Sequence, residues 1–557
     1  MLLTPIVLFV ILMILLYVPP VQNFIRKQAT AIASDATGMN ISVERIDLRF
    51  PLNLLVRGVQ VVQSEADAAD VQHPDTLLNL GSLNVSVQAW PLLQGRVEVN
   101  DITLQQVAVN SSNLLEGMHI KGTLGWFFLE SHGIDLKKED AILNNVELSN
   151  THMQVMLADT TETPKDSTET AVNWRIALHN LKLKNVSVDL QMPLDSMALG
   201  ANIGDASIED ANVDLKRQFY GWRRFTLTES AVNYDSGMAA PVEGFDASHI
   251  ALRDIRIGID SVMACGREMN AIIREFSMYD RSGLTVTSLT GRLFADSTLI
   301  RIPYLQLKTP HSDMDLTAQT YWKLVDIPTT GHLSARFNAN IGKQDVLLFA
   351  GGLPETFKEA YPFRPLVIHA GTEGNLKQMQ ISRFTAELPG AFFLSGGGEL
   401  WNLTDSLTRN GGLDFEMQTQ DLNFLTGLTG VTPDGSIIVP DSMNLVARLG
   451  LDGPQCNAIL KIKEGEGSLG LDAAYNLNTE VYHADLAIDA LQLHHFLPKD
   501  SIYTLTARVT AKGQGVDVAS HKTIARVEAK LDELQYARWN ISVSYTHLRA
   551  HETVLDL

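Results

Sequence analysis

The chain has 557 residues, 45% of them apolar, and its 44 Lys and Arg against 64 Asp and Glu leave a formal charge of −20. That length suffices for several domains, and the acidic balance disfavours binding nucleic acid through phosphate neutralisation. Two cysteines, Cys265 and Cys456, make neither a disulfide scaffold nor a metal knuckle and read as unreactive core residues.

From Leu2 to Val18 the sequence is apolar except at Thr4 and Pro5. A helix over residues 1–21 is long enough to cross the ~30 Å hydrocarbon core of a bilayer, with Ile6, Phe9, Leu12 and Leu16 as anchor residues. A cleaved signal peptide is the rival, but Pro19 and Pro20 stand where a small-residue cleavage site belongs, so an uncleaved single-pass anchor is expected. Residues 22–37 then predict an amphipathic helix, with Phe24, Ile25, Ala29 and Ile32 near one face and Arg26 and Lys27 off it. No Lys or Arg precedes the span, so the positive-inside rule alone does not favour export of the chain beyond it.

Residues 38–300 repeat a small unit with apolar positions at offsets 0, 2, 5 and 7. It is seen in Ile102, Leu104, Val107 and Val109, in Leu181, Leu183, Val186 and Val188, and in Ile250, Leu252, Ile255 and Ile257, with further copies starting at Val146, Ala206 and Phe225. Each copy joins two strand-like alternations through a one-residue phase slip, which requires a β-bulge or tight turn. Gln106, Asn150, Asn185, Asp210, Glu229 and Asp254 occupy the slip, and Asn and Asp are types that tolerate unusual backbone angles. Related forms begin at Ile41, Leu54 and Ile300. The intervals are too irregular for a propeller or leucine-rich solenoid. The polar run Asp159 to Ala171 predicts an exposed loop, and Arg217, Arg223 and Arg224 with Tyr220 and Trp222 predict a surface loop whose charge is offset by neighbouring acids.

Residues 301–543 predict further β-modules. Gln344 to Phe349 is echoed by Gln420 to Leu425 and more loosely by Asp489 to Leu493, each followed by a strand ending at a glycine, Gly374, Gly453 or Gly513. Gly396-Gly397-Gly398 predicts a bend or bulge within a strand. The fold class expected is all-β: an elongated, curled, repetitive sheet forming an open groove, preceded by one transmembrane helix. Alternating strands give one dry and one wet face, an arrangement that a closed sandwich core would also use.

No catalytic constellation emerges. Gly342-Lys343 lacks the lead of a phosphate loop, Gly513-Gln-Gly515 is a fragment of a dinucleotide fingerprint, and His494-His495 have no acid-rich neighbours in sequence. Neither an enzyme, nor a cofactor, nor a metal site is expected. His547 and His551 have helical metal-site spacing, but Ser544 to Leu557 resembles the translation of a ligated sequencing oligonucleotide. Residues 544–557 are therefore expected to be a non-native tail, with the natural chain continuing beyond about Val543.

A span ending Tyr17-Val-Pro-Pro-Val21-Gln22, the segment Ile41-Ser-Val-Glu-Arg-Ile-Asp-Leu-Arg-Phe-Pro51, and later Leu80-Gly-Ser-Leu-Asn-Val-Ser-Val87, Pro91-Leu-Leu-Gln-Gly95 and Val97 to Leu104 together resemble the N-terminus of the AsmA and TamB superfamily. The resemblance implies a protein of the Gram-negative inner membrane, single-pass, with the bulk of the chain in the periplasm as a curled β-groove. It further implies phospholipid acyl chains as cargo between the inner and outer membranes, with the twelve apolar residues of the copies at Ile102, Leu181 and Ile250 as groove candidates. TamB-type members imply the alternative of an assembly factor for outer-membrane barrel proteins, with a barrel-type partner. A surface adhesin or stalk is a third class, and would need the signal peptide to be cleaved.

Overall fold

The computed structural model describes residues 19–37, 39–49, 53–63, 76–88, 99–111, 117–135, 138–157, 173–237, 239–429, 435–515 and 523–546. The expected membrane anchor, with Ile6, Phe9, Leu12 and Leu16, and the whole polar run 159–171 lie outside them. Among the described residues no helix is long and apolar enough to cross a membrane. The chain divides into two compact units, the first made of Met1–Val242 with Asp246–Thr290 and the second of Glu243–Phe245 with Gly291–Leu557.

The first unit opens with the helix Pro19–Thr37, over the expected amphipathic segment, and continues in strands. From Asn40–Arg49 to Glu268–Asp280 each strand pairs with the next in sequence, and among the described residues the first strand does not pair with the last, so the sheet is open. All these pairs are antiparallel except one. Asp140–Leu157 runs parallel to Arg175–Met192 at a constant offset, Val146 beside Leu181 and Met153 beside Val188. That offset equals the 35-residue interval between two copies of the repeat, so the copies lie in register. A parallel pair needs a connection of a dozen or more residues, and the polar run supplies that length of chain.

The phase slips are real kinks. Gln106, Asn150, Asn185, Asp210, Glu229 and Asp254 all adopt left-handed backbone angles, with φ between 51° and 55°. Four of the six line up across the sheet; in one column stand Gly58, Gly81, Gln106, Gly125, Asn150, Asn185, Gly204 and Glu229, and Asp254 lies diagonal to Glu229 across a register shift, with Ile255 opposite Ser230. Asp210 belongs to a second column, beside His179 and near Ser261, itself at φ 54°. Glycine recurs in the first column because a kinked residue throws its side chain toward the neighbouring strand. A Cβ on Gly125 would stand 2.8 Å from the Cβ of Asn150, and one on Gly81 would stand 2.9 Å from that of Gln106. Bulges bend a strand and sharpen its twist, and an aligned column of them creases the sheet.

The second unit is an antiparallel meander from Leu299–Lys308 to Trp539–Thr546. Helical turns follow the third, seventh and eleventh strands of this meander, four strands apart. Lys343–Leu348 follows Leu333–Ile341, Asn423–Thr429 follows Asn410–Thr419, and Leu493–Phe496 follows Val481–Gln492. The three sequence echoes fall at these junctions. The best-packed core lies under the first two, where Phe357, Tyr361 and Phe424 meet at 5.5–5.9 Å between ring centroids over Leu388, which is 1% exposed. Burial pushes the Tyr361 phenol above its ordinary pKa.

The three adjacent glycines fall within Phe392–Trp401 opposite a register shift between Ile381 and Phe384, as a bulge requires. Trp539–Thr546 carries Ser544, Tyr545 and Thr546 in register with Leu531, Lys530 and Ala529. Backbone pairing asks little of the side chains, so the first residues of the foreign-looking run continue a strand; His547 and His551 lie outside the described residues.

Candidate functional site

All twelve groove candidates fall on one face of the first unit's sheet. Cross-strand partners share a face, and the register links them into rows. One row runs Leu48, Leu54, Val85, Ile102, Leu129, Val146, Leu181, Ile208, Phe225, Ile259. Its neighbour runs Ile46, Val56, Leu83, Leu104, Phe127, Leu148, Leu183, Ala206, Leu227, Ile257. Beyond the crease lie the row of Leu80, Val107, Leu124, Thr151, Val186, Ile203, Ser230 and Ile255, apolar but for two hydroxyls, and the row of Leu78, Val109, Met153, Val188, Val232 and Leu252. Ile250 belongs to a fifth, with Leu190, Leu199 and Tyr234. Because the slips of neighbouring strands coincide, the dry face survives a change of phase that would otherwise flip every side chain beyond it.

Burial grades across this face. Ile255, beside the crease, is 4% exposed, whereas Val109, one row further out, is 40% exposed, with Met153, Val188 and Leu199 similarly open. A face that is deepest along a crease and opens toward a flank is a trough.

The opposite face is polar and ion-paired. Arg223 bridges Glu209 and Asp210, each at 2.7 Å, and Arg224 reaches Asp260 at 3.3 Å. The hydrogen bond from Arg223, with a second from His179 at 3.1 Å, holds the Asp210 carboxyl below its ordinary pKa. Arg223 and Arg224 lie within the strand Phe219–Ser236 and not on the expected surface loop; only Arg217 sits in a turn. Alternation had disguised them, since the apolar members of this stretch face the trough.

In the second unit the apolar face continues its own rows and widens into a hollow of about 490 Å³. Leu400, Leu413, Leu449, Leu451, Ala458 and Tyr475 are among the apolar residues that line it, with Cys456, Asn457 and His483 also on its wall. Its size falls in the range of small-molecule pockets, and its breadth comes from small side chains in neighbouring rows. Sequence reasoning missed it, because Ala and Gly carry little signal at strand positions. Cys456 lines this hollow, whereas Cys265 ends the strand His249–Cys265.

The structure gives His495 an acid partner that the sequence did not suggest. Its Nδ1 lies 2.6 Å from Oε1 of the buried Glu464, a residue 31 positions away at the end of Gln455–Glu464. Among the described residues no group of three His, Cys, Asp or Glu is placed to hold a metal ion. Compared with protein-family models and with curated protein sequences, the chain matches none.

Proposed function

We propose that this chain is a non-enzymatic conduit for phospholipid acyl chains, anchored in the inner membrane of a Gram-negative cell with its sheets in the periplasm. The observation that carries the reading is the trough: twelve positions chosen from sequence lie on five adjacent, mostly apolar rows, two of them unbroken over ten strands, and the face is graded from buried to open. Hydrocarbon entering such a face replaces water against apolar surface, at about 25 cal/mol for each Å² removed from water. The lining carries no charged group, and its few hydroxyls, Thr151 and Ser230, are buried beside the crease, which suits passage better than tight binding.

The experiment is isolation of the full chain in mild detergent, followed by mass spectrometry of the lipid extract. Co-isolated phospholipid that is lost when charge is placed in the trough supports the conduit. Absence of lipid, with crosslinks to nascent outer-membrane barrels instead, overturns it in favour of an assembly factor working by strand addition.

A further inference from the structure

The outer edge of Asn40–Arg49 is occupied by the chain's own helix. Among the described residues this strand pairs only with Asn53–Val62. Along its other side, Arg26 donates through Nη1 to the carbonyl oxygens of Val43 at 2.9 Å and Glu44 at 3.1 Å. Gln22 Nε2 donates to the carbonyl of Leu48 at 3.3 Å, and the backbone N–H of Ile41 donates to Ser34 Oγ at 3.1 Å. These backbone groups are the ones a further strand would use, and a covered edge is a means of preventing that pairing.

The same strand is complementary to itself. Its apolar residues, Ile41, Val43, Ile46 and Leu48, have a spacing that reads identically in both directions. Laid antiparallel against a second copy, with Ile41 opposite Leu48 and Val43 opposite Ile46, the strand brings Glu44 opposite Arg45. The apolar rows then pass unbroken from one copy to the other, and the central charges are of opposite sign, as a two-fold symmetric interface requires.

We infer that Asn40–Arg49 is an interface for a second copy of this chain, kept closed by the helix Pro19–Thr37. The inference is independent of what the trough carries.

The test uses the full chain in mild detergent, with Cys265→Ser and Cys456→Ser. Replacing Arg26→Ala and Gln22→Ala loosens the helix, and light scattering should then show two copies forming at a concentration at least tenfold lower than in the parent chain. Adding Ser42→Cys and Asp47→Cys, which the register sets opposite each other, should give a covalent dimer on oxidation. Arg45→Glu in the loosened chain should abolish the dimer, and Glu44→Arg with Arg45→Glu should restore it. A loosened chain that keeps its β-sheet circular dichroism yet remains single overturns the inference, as does a dimer without the expected disulfide. Should the loosened chain fail to fold, the opposite variant decides. Ser34→Cys with Ile41→Cys ties helix to strand and should weaken the parent chain's self-association at least tenfold; a parent that stays single at every concentration, or dimerises equally when tied, overturns the inference.

Discussion

Gly125→Ala tests the crease directly. Gly125 lies in the strand Met118–Asp135, and an added Cβ would stand 2.8 Å from the Cβ of Asn150 and 2.9 Å from its carbonyl oxygen. Neither atom belongs to a flexible side-chain end, so relief requires the backbone to move, and overpacking of this kind costs about 1–3 kcal/mol. The same substitution at Gly133, in the same strand, meets nothing within 4 Å. Both variants share the loss of unfolded-state freedom that favours alanine by about 0.4–1 kcal/mol, so that effect cancels in the comparison. Hydrogen exchange read by mass spectrometry over residues 118–135 and 140–157 should therefore differ between the two by about 5- to 150-fold, with Gly125→Ala the faster. Equal protection in the two variants would falsify the claim that the kinked Asn150 leaves no room for a Cβ at Gly125.

Val109→Asp, at a position 40% exposed on the open flank of the trough, is expected to fold and to lose most co-isolated phospholipid, because a carboxylate must be desolvated by passing hydrocarbon; unchanged lipid content by mass spectrometry counts against the trough as the lipid path. Leu388→Ala empties the centre of the aromatic core in the second unit and is expected to cost about 2–5 kcal/mol, seen as faster exchange over residues 355–361 and 423–429, with residues 140–157 as the unaffected reference. The Asp210 carboxyl is depressed in the folded chain, so its contribution is present above the ordinary value of 3.8 and is lost as pH falls through the depressed one. Arg223→Gln should move its titration midpoint upward in carboxyl NMR spectra, and a midpoint that stays put would show that the guanidinium is not the cause.

The slip residues were legible because their chemistry is local. A non-glycine residue in the left-handed region is most tolerable when its side chain is short and polar, and the surrounding apolar offsets mark where the phase must change. The shared face was legible for the same reason, since the offsets survive the kink. What the sequence could not show was register. Nothing in the copy starting at Ala206 says that Asp210 kinks in a different column from Asn185, and nothing in Asp140–Leu157 says that it pairs parallel to its successor. Both depend on which residues of distant strands meet. The glycines facing the kinks went unread because their reason is a neighbour on another strand. Glu464 and His495, 31 residues apart, are likewise joined only by the fold.

The sequential pairing of strands also governs how the chain can fold. Nearly every strand docks onto the one made just before it, so each step closes only a short loop and the ordering entropy is met in small instalments. Such a sheet can grow from its first strand while the rest of the chain is still being delivered, each new hairpin finding an edge already in place. The parallel pair is the exception: Arg175–Met192 cannot align with Asp140–Leu157 until the connection between them has been delivered. Elongation should pause there, with the edge of Asp140–Leu157 waiting open, and from that point a second run of hairpins begins.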